Sequence, residues 1–142
     1  MPTSTARVDF VAGVSSMMTA YIAANPTLLM RHYRTLPAQF QDLPATYLDI
    51  TSEQIHHAQG LRDRVMSSSI VLVTRLTDSA ETTDVHSILV DSLVDWFTSY
   101  PHIVAGTVWS DMTVATEAAG EDNQFLATRF SLPDYTVKEP RT

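Results

Sequence analysis

The chain contains no cysteine among its 142 residues. Disulfide scaffolds, thiolate metal sites and thiol nucleophiles are therefore excluded. The sequence also has no apolar stretch long enough to span a bilayer. Its N-terminus, MPTSTARVDF, lacks the basic and apolar regions of a secretory signal. We therefore expect a soluble protein that makes no membrane contact and is made and used inside a cell.

Clustered basic residues are missing as well. The net charge is −7, divided into +1 over residues 1–76 and −8 over residues 77–142. Proteins that grip phosphates or read bases need clustered Lys and Arg, so the acidic balance argues against specific nucleic-acid binding. Two interpretations of the acidic half remain open: a solvated surface that aids solubility, or a surface that repels DNA or meets a basic partner.

The stretch 67–114 carries the strongest pattern in the sequence. The β-branched run SSSIVLVTRLT predicts a strand inside a sheet. The residues after it predict a long helix that begins near a capping box, Asp78-x-x-Glu81, and ends at Tyr100-Pro101. Its predicted apolar stripe consists of Val85, Leu89, Leu93 and Trp96, widened by Ile88 and Phe97, and its opposite face carries Asp84, Asp91 and Asp95.

Weaker patterns flank this stretch. Apolar residues spaced by three and four predict an N-terminal helix over 6–24, and TLLMRHYR allows a second, short helix. A short strand is predicted near Thr46–Ile50, a surface loop or short helix over 51–66, and two strands over 108–115 and 124–132 that are joined by a hairpin connection at 117–123.

These elements predict an α+β fold. We expect a mostly antiparallel sheet of about four strands, with the long helix and the N-terminal helix packed on it. The length and the 44% hydrophobic content predict a single domain over residues 1–142 with one core. The polar tail, residues 134–142, is expected to be loosely held.

Catalytic and metal-binding patterns are weak. Glu53, His56 and His57 carry groups that suit zinc or nickel, but their spacing does not match a two-histidine helical site. The aspartates of the long helix share a face, but no histidine or nucleophile is arranged with them. We therefore predict no catalytic residue, no metal and no cofactor, and not an enzyme. A small enzyme using these residues and a generic α+β binding module remain alternatives.

Charged residues are the better candidates for an interface. Arg62-Asp63-Arg64 reads as a compact charged tip of the kind that pairs with an acidic neighbour in an oligomer. The acidic face of the long helix and the hairpin connection complete the prediction. The candidate subunit or partner interface is Arg62, Asp63, Arg64, Asp84, Asp91, Asp95, Glu117 and Glu121.

The order of elements resembles the tail terminator (tail completion) proteins of long-tailed bacteriophages. The resemblance rests on the helix VDFVAGVSSMMTAYIAA, the strand SIVLVTRLT, the acidic helix TTDVHSILVDSLVDWFTSY and the segment GTVWSDMTVATEAAGEDNQFLATRFSLP. It covers most of the chain and is a pattern of elements, not a diagnostic motif. Residues 26–66 depart from it, with additional prolines and arginines.

The resemblance implies a structural virion protein that acts by association. Such proteins form a hexameric ring on the head-proximal end of the tail tube, end tube polymerisation and join the tail to the head. Its partners would be further copies of itself, the major tail tube protein and the head–tail connector protein, with DNA passing through the channel unbound. It would be found in the host cytoplasm during assembly and then in the virion tail. A head–tail connector or neck protein is the alternative.

Overall fold

Two helices lie on one face of a six-stranded sheet in the computed structural model, which describes residues 6–28, 30–38, 43–58, 60–76, 80–99, 112–120 and 124–140. The helices are α1 (Ala6–Ala24) and α2 (Ala80–Ser99), and a 3₁₀ turn spans Pro26–Leu28. The strands are β1 (Arg31–Tyr33), β2 (Ala45–Ala58), β3 (Leu61–Arg75), β4 (Val114–Ala119), β5 (Phe125–Ser131) and β6 (Tyr135–Pro140).

Strand β3 is the centre of the sheet, whose order is β1-β2-β3-β5-β4 with β6 also on β3. One edge of β3 pairs with β2 along its length. The other edge is shared: residues 69–75 pair with β5 and residues 61–66 pair with β6. Among the described strands, β1 and β2 form the one parallel pair. The sheet is therefore antiparallel around a single 15-residue strand.

The main core lies between the helices and the sheet. On β3, Met66, Ile70 and Leu72 face the helices, while Val71 and Val73 belong to a smaller cluster on the other face. This is the two-residue alternation of a strand. The helices contribute the remaining large side chains: Phe10, Val14, Met17, Met18 and Tyr21 from α1, and Leu89, Leu93 and Phe97 from α2.

The predicted α+β class and the mostly antiparallel sheet are confirmed, but the sheet has six strands and not about four. The two additional strands are β1 and β6. Where a short helix was allowed over TLLMRHYR, residues 27–28 belong to the 3₁₀ turn and residues 31–33 form β1. Residues 135–140, within the segment predicted to be loosely held, pair with β3. Tyr135 stacks on Phe10 with ring centroids 5.3 Å apart, which ties β6 to α1.

The prediction of a loop or short helix over 51–66 is wrong. These residues continue β2 and begin β3, and they pair from Ser52↔Ser67 to Ala58↔Leu61 after a register shift between Ile50 and Ser52. The sequence did not indicate these parts of the two strands because their residues are polar, whereas strand patterns are recognised by alternating apolar residues. On the other side of the sheet, β4 runs to Ala119, three residues into the predicted connection. The predicted strand residues 108–111 lie outside the described part.

Helix α2 is also rotated relative to the predicted stripe. Val85 and Ile88 are 51% and 66% exposed, whereas His86 is 3% exposed and lies under the helix. The buried line is therefore His86, Leu89, Leu93 and Phe97. A polar residue occupies a core position here, so a stripe built only from apolar residues was placed too far around the helix.

Candidate functional site

The β2–β3 hairpin extends beyond the helices as an arm, which we define as residues 54–58 and 61–65. From the row Glu53↔Met66 to the row Ala58↔Leu61 it adds five residues, or about 17 Å at about 3.4 Å per residue. Gly60 makes the turn with φ of 71°, a conformation that glycine adopts without steric cost. The arm therefore presents strand surface away from the main core.

Three charged side chains hold the base of the arm. Glu53 accepts hydrogen bonds from Arg64 Nε at 2.6 Å and from Arg7 Nη2 of α1 at 3.1 Å. Burial alone would raise the pKa of the Glu53 carboxyl, but the bonds and charges of Arg64 and Arg7 outweigh it and the pKa lies below its ordinary value. Charge thus fastens the arm base to α1, in addition to the apolar packing of Met66 in the main core.

The predicted charged tip is not a tip. Arg62, Asp63 and Arg64 lie within β3 and are all half-buried. Arg64 is engaged with Glu53, and Asp63 lies between His56 of β2 and Lys138 of β6 in the register. Successive strand residues point to opposite faces, so the three side chains do not form one surface. They serve the internal structure of the arm.

The acidic face of α2 is arranged as predicted, with one addition. Asp84, Asp91 and Asp95 are exposed, and the steps between Asp84, Ile88, Asp91 and Asp95 are four, three and four residues. Such steps place side chains in one line along a helix. We call these four residues the acidic stripe. Its only apolar member, Ile88, is 66% exposed.

Under α2 lies a hydrogen-bonded chain that the sequence did not reveal. His86 Nδ1 is 2.8 Å from Thr74 Oγ1 and its Nε2 is 2.6 Å from Thr128 Oγ1. Thr128 Oγ1 is in turn 2.7 Å from Thr116 Oγ1 of β4. Burial lowers the pKa of His86, which favours the neutral ring with one donor and one acceptor nitrogen. The chain joins α2 to β3, β5 and β4.

The sheet face opposite the helices is only shallowly concave. A depression of about 270 Å³ lies there and includes Tyr47, Val71, Glu117 and Arg129 in its lining. Arg129 Nη1 bonds Asp49 Oδ2 at 2.7 Å. The register places this ion pair across β3, beside Val71. A second groove, of about 370 Å³, runs beside α2 and is lined in part by His86, Ser87 and Asp91.

The predicted interface residues fall on separate surfaces. The acidic stripe is on α2, Glu117 is exposed on β4, and the arm holds the three residues of the predicted tip; Glu121 lies outside the described residues. The sequence missed Glu53 as the centre of the arm base and His86 as a core residue. The spacing of His86 from Leu89, Leu93 and Phe97, three, seven and eleven residues, would have indicated the latter.

Groups that would hold a metal do not converge in the described part of the chain. No set of three or more His, Cys, Asp or Glu side chains there is placed to ligate an ion. His56 and His57 are exposed on the arm, and Glu53 is engaged with two arginines. Neither of the helices that the structure describes is long and apolar enough to cross a membrane.

No protein-family model matches the chain, and no curated protein matches its sequence.

Proposed function

We propose that this protein is a ring-forming tail terminator of a long-tailed bacteriophage. In this role it caps the head-proximal end of the tail tube, ends polymerisation of the tube and joins the tail to the head connector. Its mechanism is association with copies of itself and with two virion partners, and it performs no chemical reaction. We take this particular role from the resemblance of the element order to that of tail terminators.

The arm is the observation that supports this proposal best. It extends about 17 Å beyond Glu53, the residue that bonds Arg7 of α1. It carries two large apolar side chains, Ile55 and Leu61, that are 49% and 48% exposed. Exposed apolar side chains on a projecting element are typical of contact surfaces. An arm of this kind suits a subunit that reaches over a neighbour or onto the tube.

Open strand edges supply the second support. Within the described residues, β2 from Leu48 onward has β3 as its one partner. Strand β4 likewise forms the outer edge beside β5. Free strand edges present unpaired N–H and C=O groups, with which another chain can add a strand. Both lateral edges of the sheet are therefore suited to assembly.

The test uses tail tubes purified from the phage whose genome encodes the chain. Added protein should bind tube ends, and it should shorten and narrow the length distribution when major tail protein polymerises in its presence. Albumin at the same concentration controls for crowding. Polymerisation that continues unchanged at saturating protein would contradict the proposal. Binding to portal-side complexes and not to tube ends would favour the connector alternative.

A further inference from the structure

Two exposed surfaces of opposite charge lie on different sides of the molecule. One is the acidic stripe on α2. The other is a basic patch that we define as Arg31, Arg34 and Leu36, at and just after the edge strand β1, all of them exposed. Helix α1 lies between the two surfaces, because it contacts β1 on one side and bonds α2 on the other through Tyr21 Oη and Ser92 Oγ at 2.7 Å.

Both surfaces combine charge with a large apolar side chain. Ile88, at the centre of the acidic stripe, is 66% exposed, and Val85 beside it is 51% exposed. Leu36 in the basic patch is 62% exposed. Removing such side chains from water is favourable, and a ring of charges around an apolar contact fixes partner and orientation. The two surfaces are therefore complementary in charge and alike in carrying an apolar centre.

The charges also exclude one way of pairing. In a two-fold interface the acidic stripe would meet itself, and three aspartates of each copy would face one another. Like charges held together across an interface repel and cost binding energy. The stripe is therefore suited to a different surface of the next copy. Such head-to-tail contacts form rings when the rotation between copies closes.

We propose that the basic patch of one copy docks on the acidic stripe of the next copy, with Leu36 packed against Ile88 and Val85. This contact deepens the proposed function and rests on it, because a tail terminator must assemble. It assigns Asp84, Asp91 and Asp95, which the sequence placed in a candidate subunit or partner interface, to the contact between subunits.

Charge exchange between two variants tests the contact. One variant carries Arg31→Glu and Arg34→Glu; the other carries Asp91→Arg and Asp95→Arg. Sedimentation velocity of each variant alone should show self-association at least about tenfold weaker than that of the natural chain. An equimolar mixture should restore association, because each altered surface then meets its complement. Arg75→Glu, at an exposed position elsewhere, is the matched control and should leave association unchanged.

Cross-linking gives a second test that also detects weak association. The chain has no cysteine, so Leu36→Cys and Ile88→Cys together introduce the only two thiols. Under mild oxidation a head-to-tail contact should yield a ladder of linked copies, whereas either substitution alone should stop at dimers. Products no larger than dimers from the double variant would overturn the proposal, as would a mixture of the charge variants that stays dissociated. Circular dichroism confirms that each variant is folded.

Failure of this contact and failure of the proposed function are distinguishable. If both charge variants alone still self-associate like the natural chain and cap tail tubes, the contact is wrong and the proposed function stands. If the mixture associates and the ladder forms but neither the natural chain nor the mixture binds tube ends, the contact stands and the proposed function is wrong.

Discussion

The two halves of strand β3 differ in what surrounds them. Over residues 69–75, paired with β5, the side chains from Ile70 to Thr74 are buried on both faces of the sheet. Over residues 61–66, paired with β6, all but Met66 are half-buried or exposed. One continuous strand thus passes from an apolar core into the charged arm.

This difference separates the half of β3 that stabilises the fold from the half for which we propose a role in association. The buried half packs under α2, where Phe97 and Phe130 meet edge to face with centroids 5.4 Å apart, and such packing supplies most of the free energy of folding. The arm is held by Glu53, Arg64 and Arg7, whose ion pairs face water on one side. Regions with few buried apolar contacts open more readily. The arm is therefore free to adapt to a partner while the core stays fixed.

A matched pair of leucines on β3 should give the largest contrast. Leu72 is fully buried and Leu61 is 48% exposed. Leu72→Ala should lower the free energy of unfolding by about 2–5 kcal/mol, because it removes buried methyl groups and leaves a cavity. Leu61→Ala should change it by less than about 0.5 kcal/mol. Urea unfolding followed by circular dichroism measures both, and equal losses would contradict the division of β3.

Acid should weaken the core side of the sheet through its histidines. Burial, with a smaller effect from the Arg34 charge, lowers the pKa of His32 from 6.5 to about 4, and its Nδ1 lies 2.9 Å from Thr46 Oγ1. The folded state binds this proton less readily than the unfolded state. Stability is therefore full above pH 6.5, falls as the pH drops below 6.5, and stops falling from this cause below about pH 4; the loss should be about 1–3 kcal/mol.

His32→Gln should flatten the slope of unfolding free energy between pH 7 and pH 4.5. His56→Gln, on the exposed arm, is the matched control, and the difference in slope between the two variants is the measurement. His86, whose pKa burial also lowers, acts in the same direction and leaves part of the slope in place. Identical slopes for the two variants would show that His32 does not carry the effect.

Removing the charge at the arm base should act locally. Glu53→Gln weakens the contacts with Arg64 and Arg7. The Glu53 and Arg64 side chains are 15% exposed and Arg7 is 54% exposed, and partly buried ion pairs of this kind contribute about 1 kcal/mol. Hydrogen exchange should increase at arm amides and stay unchanged at β5 and the buried half of β3. Glu117→Gln, at an exposed position on β4, serves as the control. Faster exchange across the whole sheet would mean that the arm and the core open as one unit.

The ion pair across β3 should matter least. Asp49 and Arg129 are 2.7 Å apart, but their side chains are 39% and 41% exposed. Pairs in contact with water contribute about 0–1 kcal/mol and are screened by salt. Arg129→Met should therefore shift the urea midpoint only slightly, and the shift should vanish in 1 M salt. A loss of stability as large as that of Leu72→Ala would show that this ion pair contributes as much to the fold as a buried core side chain.

The same contrast explains which parts of the fold could be predicted. The buried half of β3, helix α2 and β5 carry long apolar periodicities, and the sequence indicated all three. The arm alternates Ser, Glu, His, Arg and Asp, so its strand character comes from pairing and not from an apolar pattern. Strand β6 depends on the stacking of Tyr135 on Phe10, a contact between distant parts of the chain that no local pattern contains.

The candidate surfaces were predictable to a similar degree. Three aspartates of α2 were placed together correctly because helical spacing alone decides that. Ile88 was placed in the core, since counting apolar residues favoured it over His86; only the bonds from Thr74 and Thr128 make His86 a satisfied core residue. The basic patch was not recognised because β1 was not predicted, so no edge existed on which to place Arg31 and Arg34.

Electron microscopy of gold-labelled protein on purified tail tubes tests the central claim, that this chain acts by assembling at the end of the tube. The account predicts label at one end of each tube, on the side that joins the head, and nowhere along its length. Label distributed along the tube wall, or no label at saturating protein, would contradict it.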